Sequence, residues 1–476
     1  MSNNLTKKDT SIKNSNSSIN SLCNIPTNNY TDDEALYEYT NEETRPLLET
    51  QRVPNNKDYD EQIDGGYGWM IVCVGFLLQF ISVGISESWG KQKKYEFLSI
   101  LGVMQEFHAH HEFPNAVVQI SFVGTISNVL LNGLGPVARL LSAVTSLRNI
   151  MLLAVVLCTM GLEAASWATE IWHLYLTRGV LFGMGASLAF YVALSIIPQW
   201  FSKRRGIALA ISSTGTCIGA FSLPFIMNIM NSYFGSTWSY RVQGFIVLIL
   251  GLTSCVFVRE RKSEKNKEQN ESKIELKEIF EFKILKDPSF VLWCIADIFM
   301  EAAYYVPYFY LPSHATYLGL SSSQGSALIS IVSGMSFVGN LISGVAADRI
   351  GHLNTMILYS TLSALSCSIW VAADSFSTLI VFCILVGFFG GAFIALTSSV
   401  TYVITGAKNF ESGLSLFLLI TVISMFGPNV SSTFEQTLHA RPYLSYEIFT
   451  AIGYFTGAIV LVVIKYVKTN NIFSKI

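Results

Sequence analysis

The chain has 476 residues, of which 51% are hydrophobic and only 13% are charged, and its mean hydropathy is +0.43. Soluble globular proteins carry about 25% charged residues, so this composition predicts that most of the chain lies in a lipid bilayer. The formal net charge of −2 provides no basic field for nucleic acid. Eight cysteines occur at irregular spacing, all but Cys23 in apolar stretches, so we expect neither a disulfide framework nor a zinc site.

Residues 1–66 form a polar segment rich in Asn, Ser, Thr and acidic residues, with too little apolar surface for a packed core. We therefore predict a disordered tail, and because it lacks an apolar h-region we expect no secretory signal peptide. The stretch Glu43–Leu48 resembles an acidic dileucine sorting signal for vacuolar or endosomal membranes. A chance pair of leucines is the competing interpretation of this stretch.

Long apolar runs recur from Trp69 onward. A membrane-spanning helix needs about 20 mostly apolar residues, because the hydrocarbon core is about 30 Å thick and a helix rises about 1.5 Å per residue. On this criterion the sequence predicts twelve spans. They lie at 69–89, 117–141, 150–168, 172–200, 206–227, 242–258, 290–310, 325–346, 356–372, 378–403, 414–430 and 448–467.

A charged linker, residues 259–287, divides the predicted spans into two sets of six. The predicted fold is therefore an all-α membrane protein of twelve transmembrane helices in two six-helix halves. The N-terminal half covers 67–258 and the C-terminal half covers 288–469, followed by a short C-terminus at 470–476. Lys and Arg concentrate in the loops on the side of both termini and the linker, so the positive-inside rule predicts that all three are cytoplasmic.

Three local motifs lie at the ends of these predicted helices. Asp64–Trp69 reads Asp-Gly-Gly-Tyr-Gly-Trp, Trp200–Ala208 contains a Lys-Arg-Arg run, and Gly344–Gly351 contains an Asp-Arg pair. Together they resemble the monocarboxylate-porter branch of the major facilitator superfamily, especially its fungal members. The resemblance covers about Asp64–Val467 and implies a secondary transporter with no enzymatic activity and no cofactor. The first motif is predicted to be an interfacial anchor, with its last Trp in the aromatic belt.

Two of these motifs carry charges that are candidates for gating. Lys203, Arg204 and Arg205 lie between spans four and five, and Asp348 and Arg349 lie at the end of span eight. We predict that these charges close the cytoplasmic mouth through salt bridges that break on opening. The alternative for the basic cluster is a topology signal, and the alternative for the Asp-Arg pair is a solvated loop end.

Two features depart from the family pattern. Residues Lys91–Gly102 intervene after Trp89 and add three lysines to an external loop, as a true insertion or a gene-model error would. Asn340 follows Gly339 in span eight, where family members commonly carry Arg after the glycine. Asn340 is therefore a candidate substrate-binding residue, but the specificity for monocarboxylates does not transfer directly.

Four ionisable residues lie within the predicted spans: Glu87, Arg178, Asp297 and Glu301. A charge at the centre of a membrane helix costs about 2.5–3.5 kcal/mol, so such groups usually face a bundle interior or an aqueous cavity. Asp297 and Glu301 are four residues apart on one face of span seven. Because adjacent ionised carboxylates repel each other, we expect at least one of them to hold a proton near neutral pH, as proton coupling requires.

We hypothesise that Arg178 binds an anionic or polar group of the substrate while Glu301 or Asp297 takes the coupling proton, with Glu87 as a further candidate. The resemblance supports this hypothesis, because the first, fourth, seventh and tenth spans line the central cavity in the family. The alternatives are a structural ion pair, such as Arg178 with Glu87, or a carboxyl group neutralised by hydrogen bonds within its helix.

Aromatic and histidine side chains give weaker signals. Pro307 is a candidate hinge in span seven, whose outer half carries Tyr304, Tyr305, Tyr308 and Tyr310. These tyrosines are candidates for stacking on a flat substrate, although an interfacial belt is their commoner role. Three histidines are predicted to lie in a solvated external loop rather than in a metal site: His108, His110 and His111.

The leading hypothesis is secondary active transport of a small organic anion by alternating access, with proton symport. The alternatives are a carrier of a larger or neutral metabolite such as riboflavin, and a membrane sensor without net flux. The chain has no Walker motif for ATP, and His173 is the one histidine that the sequence places near a span, so an enzyme is not expected. We expect a multi-pass protein of the plasma membrane or a vacuolar or endosomal membrane, with a small molecule and protons as its partners.

Overall fold

The computed structural model describes residues 64–89, 104, 108, 117–261, 281–438 and 441–469, and within these residues every regular element is helical. Several sequence predictions fall outside the described residues. They concern the tail and its sorting signal, the Lys91–Gly102 insertion, His110 and His111, linker residues 262–280 and the C-terminus after residue 469.

The described residues form twelve helical segments, as the sequence predicts. They are α1 Gly68–Glu87, α2 Val117–Gly133 continued by Gly135–Val144, α3 Leu147–Ala165, α4 Ile171–Gln199, α5 205–234, α6 236–257, α7 Pro288–Tyr317, α8 Ser322–Ile350, α9 His352–Val371, α10 376–405, α11 407–437 and α12 Leu444–Thr469. α7 is longer than its predicted span and continues through Pro307 and Pro312 without a break.

Eight continuous helical stretches among the described residues are long and apolar enough to cross a bilayer. Two of them, Arg205–Phe257 and Phe376–Thr437, each contain two spans. The breaks are at Gly235 and Gly406, whose φ angles are 79° and 75°. These values lie in the left-handed region that glycine adopts without steric cost, so the chain turns there and re-enters the bundle. α2 and α9, which do not meet the same criterion of length and hydropathy, complete the set of twelve.

Close helix packing within the N-terminal half depends on small residues. At Gly215 in α5, an added Cβ would lie 2.1 Å from the carbonyl oxygen of Phe76 in α1. Gly84 and Gly219 face each other one turn further along the same pair of helices. Membrane helices gain their association energy largely from such close van der Waals contact, because lipid offers no hydrophobic driving force between them.

Substitution of Gly215 by Ala is expected to destabilise the protein by about 1–3 kcal/mol, the usual cost of overpacking a tight interface. The contact atom is backbone and cannot move aside as a side chain would. The midpoint of thermal unfolding of purified protein in detergent measures the effect. Gly334→Ala is the matched control, because nothing lies within 4 Å of a Cβ added there. Equal midpoints for the two variants would contradict the packing argument.

One end of the bundle carries the start of α1, the α4–α5 loop and the end of α12, and we call it the basic end. Lys468 near the end of α12 donates from Nζ to the carbonyl oxygens of Val403 and Ile404, 3.2 and 2.8 Å away, at the end of α10. The exposed cations Lys203, Arg204, Arg349 and Lys408 lie at this end as well. The opposite end carries the end of α1 and the start of α8.

Candidate functional site

Asp348 joins the two halves at the basic end. Its Oδ1 accepts a hydrogen bond of 2.7 Å from the backbone N–H of Gly206, and its Oδ2 accepts one of 3.0 Å from that of Ile207. Asp348 lies near the end of α8, whereas Gly206 and Ile207 open α5 in the other half. A carboxylate at a helix N-terminus satisfies unpaired N–H groups and complements the helix dipole. The contact is thus a helix cap across the interface.

Two further contacts cross the interface at this end. The guanidinium carbon of Arg205 lies 3.6 Å from the ring centroid of Tyr402 in α10. Arg139 in α2 forms an ion pair of 2.7 Å with Glu411 in α11. Among the five predicted gating residues, therefore, Asp348 and Arg205 contact the opposite half. The side chains of the other three are exposed: Lys203, Arg204 and Arg349.

Asp64 secures the α4–α5 loop within the N-terminal half. Its carboxylate accepts backbone hydrogen bonds of 2.8, 2.8 and 3.0 Å from Ser202, Lys203 and Arg204. Trp69 packs edge-on against the ring of Phe201, with the centroids 5.2 Å apart. The sequence predicts that this motif is an interfacial anchor. The contacts give it a more specific role, because it positions the loop that leads into the capped N-terminus of α5.

Replacement of Asp348 by Asn is expected to weaken closure of the basic end. A helix cap contributes about 1 kcal/mol, so the open population should rise roughly fivefold. The measurement is the rate at which a membrane-impermeant maleimide, applied from the basic end in membrane vesicles, modifies Cys217 of α5, whose Sγ contacts Asn340 Nδ2 of α8 in the other half. Arg349→Gln is the control, because it removes an adjacent exposed charge. A Cys217 rate that is the same in both variants would show that the cap does not hold this end shut.

A cavity lies between the two halves. The lining comes from α1, α5, α7, α8 and α10. It contains one carboxylate, Glu87, and its residues include no Lys or Arg. The predicted candidates Glu87 and Asn340 both line this cavity.

Tyrosines from α7 form one wall of the cavity. The ring centroid of Tyr304 lies 5.5 Å from that of Tyr305 and 4.9 Å from that of Tyr308. Phe393 in α10 packs edge-on against the other side of Tyr304, at 5.2 Å. The rings are therefore held by one another within a bundle core, which is more than an interfacial belt would require.

The hydroxyl groups along this wall form a directed chain. Tyr304 Oη donates to Tyr308 Oη at 3.0 Å, and Tyr308 Oη lies 3.4 Å from Ser336 Oγ. Ser336 Oγ donates to the carbonyl oxygen of Gly387 at 3.1 Å. Because Ser336 has a single hydrogen, Tyr308 must donate to it. The chain therefore runs from the cavity into the C-terminal half.

Asn340 lies on the same side of the cavity in α8. Its Nδ2 donates to Cys217 Sγ in α5 at 3.6 Å, a contact between the two halves. Its Oδ1 accepts no hydrogen bond from the described residues, although the residue is only 1% exposed. Buried carbonyl oxygens are usually paired. Asn340 Oδ1 is therefore an acceptor that a ligand in the cavity can satisfy.

The two carboxylates of α7 lie on the same helix face as the tyrosines, nearer to the basic end. Glu301 lies one turn from Tyr304 and Tyr305, and its Oε2 accepts a hydrogen bond of 2.5 Å from Ser424 Oγ in α11. Asp297 lies one turn further and is 2% exposed. Its Oδ1 accepts no hydrogen bond from the described residues. Neither residue is part of the cavity lining, so the pair lies beside the cavity rather than in it.

Arg178 is held within the N-terminal half. Its guanidinium group donates to the Ile85 carbonyl oxygen at 3.1 Å and to Ser127 Oγ at 3.3 Å, and its Cζ lies 3.9 Å from the ring centroid of Phe182. It forms no ion pair with Glu87. It is 1% exposed and does not line the cavity. Arg178 lies in α4 and Ile85 in α1. Each of these two helices contains a wider π-helical turn near the contact, at Phe80–Gly84 in α1 and at Tyr175–Leu181 in α4.

Two histidines lie elsewhere than the sequence suggested. His108 is buried, with Nε2 2.7 Å from Tyr240 Oη, so the expectation of a solvated side chain is wrong for this residue. His314 lies in α7, beyond the predicted end of span seven. Its Nδ1 accepts from Trp370 Nε1 at 2.9 Å, and its Nε2 is 3.7 Å from Glu447 Oε1. The described residues contain no group of three metal-ligating side chains.

Residues 72–338 match the family model of the Major Facilitator Superfamily, which is more than half of the chain. The chain belongs to this superfamily. Three relatives bear on its branch. An uncharacterized transporter from Saccharomyces cerevisiae, ESBP6, is 31% identical over 68% of this chain and 47% of its own length. The aspyridones efflux protein apdF from Emericella nidulans is 27% identical, over 87% of this chain and 80% of its own.

Monocarboxylate transporter 10 from rat is 23% identical over 89% of this chain and 83% of its own length. The resemblance to the monocarboxylate-porter-like branch is thereby confirmed. Among solved structures, the superfamily transporter FucP covers 83% of this chain with a TM-score of 0.60 at 14% identity, which supports the fold alone. The protein is therefore a membrane transporter of the Major Facilitator Superfamily.

Proposed function

We propose that this transporter moves an organic metabolite through the cavity between its halves by alternating access, driven by protons that bind to Asp297 and Glu301. The observation that carries the proposal is a cavity with an aromatic and polar lining, which lies between two halves that are joined at the basic end. Alternating access requires a site between two bodies and a closure that breaks. The Asp348 cap and the Arg139–Glu411 ion pair are polar contacts, which can break and re-form as a reversible closure requires.

Proton coupling rests on the carboxyl pair of α7. Asp297 is buried without a cation among its described contacts, and Glu301 follows it by one turn on the helix face that lines the cavity further on. An ionised carboxylate is costly in such a place, so the pair favours a proton-bound form. Uptake and release of that proton, as the basic end closes and opens, would couple the gradient to substrate movement.

An organic anion is the second candidate substrate. The resemblance to monocarboxylate porters and the similarity to monocarboxylate transporter 10 favour it. Arg178 was the proposed anion-binding residue, and it would have to turn away from Phe182 and Ile85 to reach the cavity. The relative named for aspyridones efflux favours a metabolite exported from the cell instead.

The concentration of Lys and Arg at the basic end supports a cytoplasmic orientation of that end, with both termini inside. The target membrane in this proposal is the plasma membrane or a vacuolar or endosomal membrane. Epitope tags at either terminus, accessible only after permeabilisation of the cell, would support the orientation. Access without permeabilisation would overturn it.

Flux in proteoliposomes tests the proposal. Purified full-length protein is reconstituted with a pH-sensitive dye inside, and labelled lactate, riboflavin or tyramine is added with and without an imposed pH gradient. The expected result is gradient-dependent accumulation of one of these solutes together with proton movement. Flux that ignores the gradient would remove proton coupling. Absence of any flux, with binding retained, would favour the sensor.

A further inference from the structure

The cavity wall indicates which chemistry the transported molecule has, an inference that rests on the proposed function. Three properties of the lining are relevant: its charge, its aromatic surface and the direction of its hydrogen bonds. Each of them restricts the class of ligand independently. We propose that the cavity binds a flat aromatic molecule that is neutral or cationic and carries a hydrogen-bond donor, in place of a carboxylate anion.

Charge is the first restriction. Glu87 is the one acidic side chain of the described lining, and no Lys or Arg belongs to it. Glu301 lies one turn below, and Asp297 beyond it, so the nearest ionisable groups on α7 are also acidic. The buried guanidinium group of Arg178 is directed to Ile85 and Ser127. An anion entering the cavity would lose its hydration without gaining a cationic partner, which disfavours it strongly.

Hydrogen-bond direction is the second restriction. The hydroxyl hydrogens of Tyr304, Tyr308 and Ser336 are committed to the chain that ends at Gly387. Two α5 hydroxyl groups of the lining also donate to the protein, Ser213 to Ala210 and Thr216 to Gln79. Asn340 Oδ1, which accepts from no described residue, remains as an acceptor for a ligand in the cavity. A ligand satisfies lone pairs by donating, and a carboxylate has no hydrogen to donate.

Aromatic surface is the third restriction. Tyr304, Tyr305 and Tyr308 lie within one and a half turns of α7, and Phe393 supports Tyr304 from behind. Aromatic rings pack favourably against other aromatic rings, and their faces attract cations. A flat aromatic ligand that donates to Asn340 therefore uses both features of the wall. A cation gains further from the rings and from Glu87.

Equilibrium dialysis of the purified full-length protein in nanodiscs, without a gradient, tests the inference. The four labelled probes, all of similar size, are tyrosol, tyramine, 4-hydroxyphenylacetate and 4-(2-hydroxyethyl)cyclohexanol, and the last three differ from tyrosol in one property each. Tyrosol is expected to bind about fivefold more tightly than 4-(2-hydroxyethyl)cyclohexanol, which keeps both hydroxyl groups but lacks the aromatic ring. Tyrosol is also expected to bind about tenfold more tightly than 4-hydroxyphenylacetate, which carries a carboxylate. Tyramine should bind at least as tightly as tyrosol.

Native Cys217 locates the binding. Its sulfur lines the cavity beside Asn340, so bound tyrosol should slow its alkylation by N-ethylmaleimide, read by mass spectrometry. Tyr304→Leu should abolish the preference for the ring, whereas Tyr304→Phe should keep it. Equal or tighter binding of 4-hydroxyphenylacetate, or the absence of binding by all four probes, would overturn the inference. Binding as expected without any flux would count against the proposed transport function alone.

Discussion

Asp297→Asn is expected to abolish gradient-driven accumulation of the transported solute while solute exchange continues. A gradient of one pH unit is worth about 1.4 kcal/mol and drives about tenfold accumulation of a neutral solute carried with one proton. The native protein should approach that ratio, and the variant should only equalise the concentrations. Asn has nearly the volume of Asp and cannot release a proton. The variant therefore keeps the packing of the buried site but loses its proton exchange.

Two assays in the same proteoliposomes separate the effects: accumulation under a pH gradient and counterflow without one. Glu301→Gln should impair accumulation less completely, because Ser424 can keep its hydrogen bond to the amide oxygen. Asp374→Asn is the matched control, since the Asp374 side chain is 82% exposed. Full accumulation by the Asp297→Asn variant would show that another group binds the coupling proton. Loss of both activities, with unchanged thermal stability, would assign Asp297 to the helix movement itself.

Asn340→Arg is expected to reverse the charge preference of the cavity. The residue lines the cavity beside Cys217, so a guanidinium group there would provide the missing cationic partner. A hydrogen bond to a charged group contributes about 1.5–3 kcal/mol, so 4-hydroxyphenylacetate should bind roughly tenfold or more tightly than to the native protein. Tyramine should bind more weakly, because like charges would then meet.

Equilibrium dialysis with the same probes measures this reversal. Asn340→Met is the control, because it adds length without charge and should weaken tyramine and 4-hydroxyphenylacetate alike. The midpoint of thermal unfolding identifies any variant that is damaged by crowding, since Gly391 lies close to Asn340 Oδ1. A stable Asn340→Arg protein that still prefers tyramine would place the ligand away from Asn340.

The twelve helices were predictable because length and hydropathy directly set what can cross a bilayer. Their ends were less predictable. α7 extends to Tyr317 through Pro307 and Pro312, since neighbouring helices can compensate for the missing backbone donors. Because the predicted span ends at residue 310, the sequence does not place His314 within this helix. Polar and proline-containing turns of a helix lower the local hydropathy without ending the helix.

Placement of the charged residues was predictable only in part. Glu87 and Asn340, two of the candidates from the sequence, line the cavity, and Asp297 and Glu301 share one helix face, which spacing alone predicts. Arg178 was expected to face the cavity but donates to the carbonyl oxygen of Ile85 instead. Its direction depends on the local winding of α1 and α4, which no regular periodicity encodes. Asp64 and Asp348 bind backbone N–H groups of distant segments, and such contacts leave no pattern in the sequence.

The π-helical turn Phe80–Gly84 sets the rotational phase of α1 beyond it. Such a turn closes its hydrogen bonds over five residues, so it accommodates one residue more than a regular α-helical turn does. Each residue advances an α-helix by about 100°. If the same residues were wound as an uninterrupted α-helix, Glu87 would swing about a quarter of a turn around the axis. Deletion of one residue from the turn would instead leave Glu87 on its present side of the helix. The composition of the cavity wall therefore depends on how α1 is wound at this turn as well as on which residues follow it.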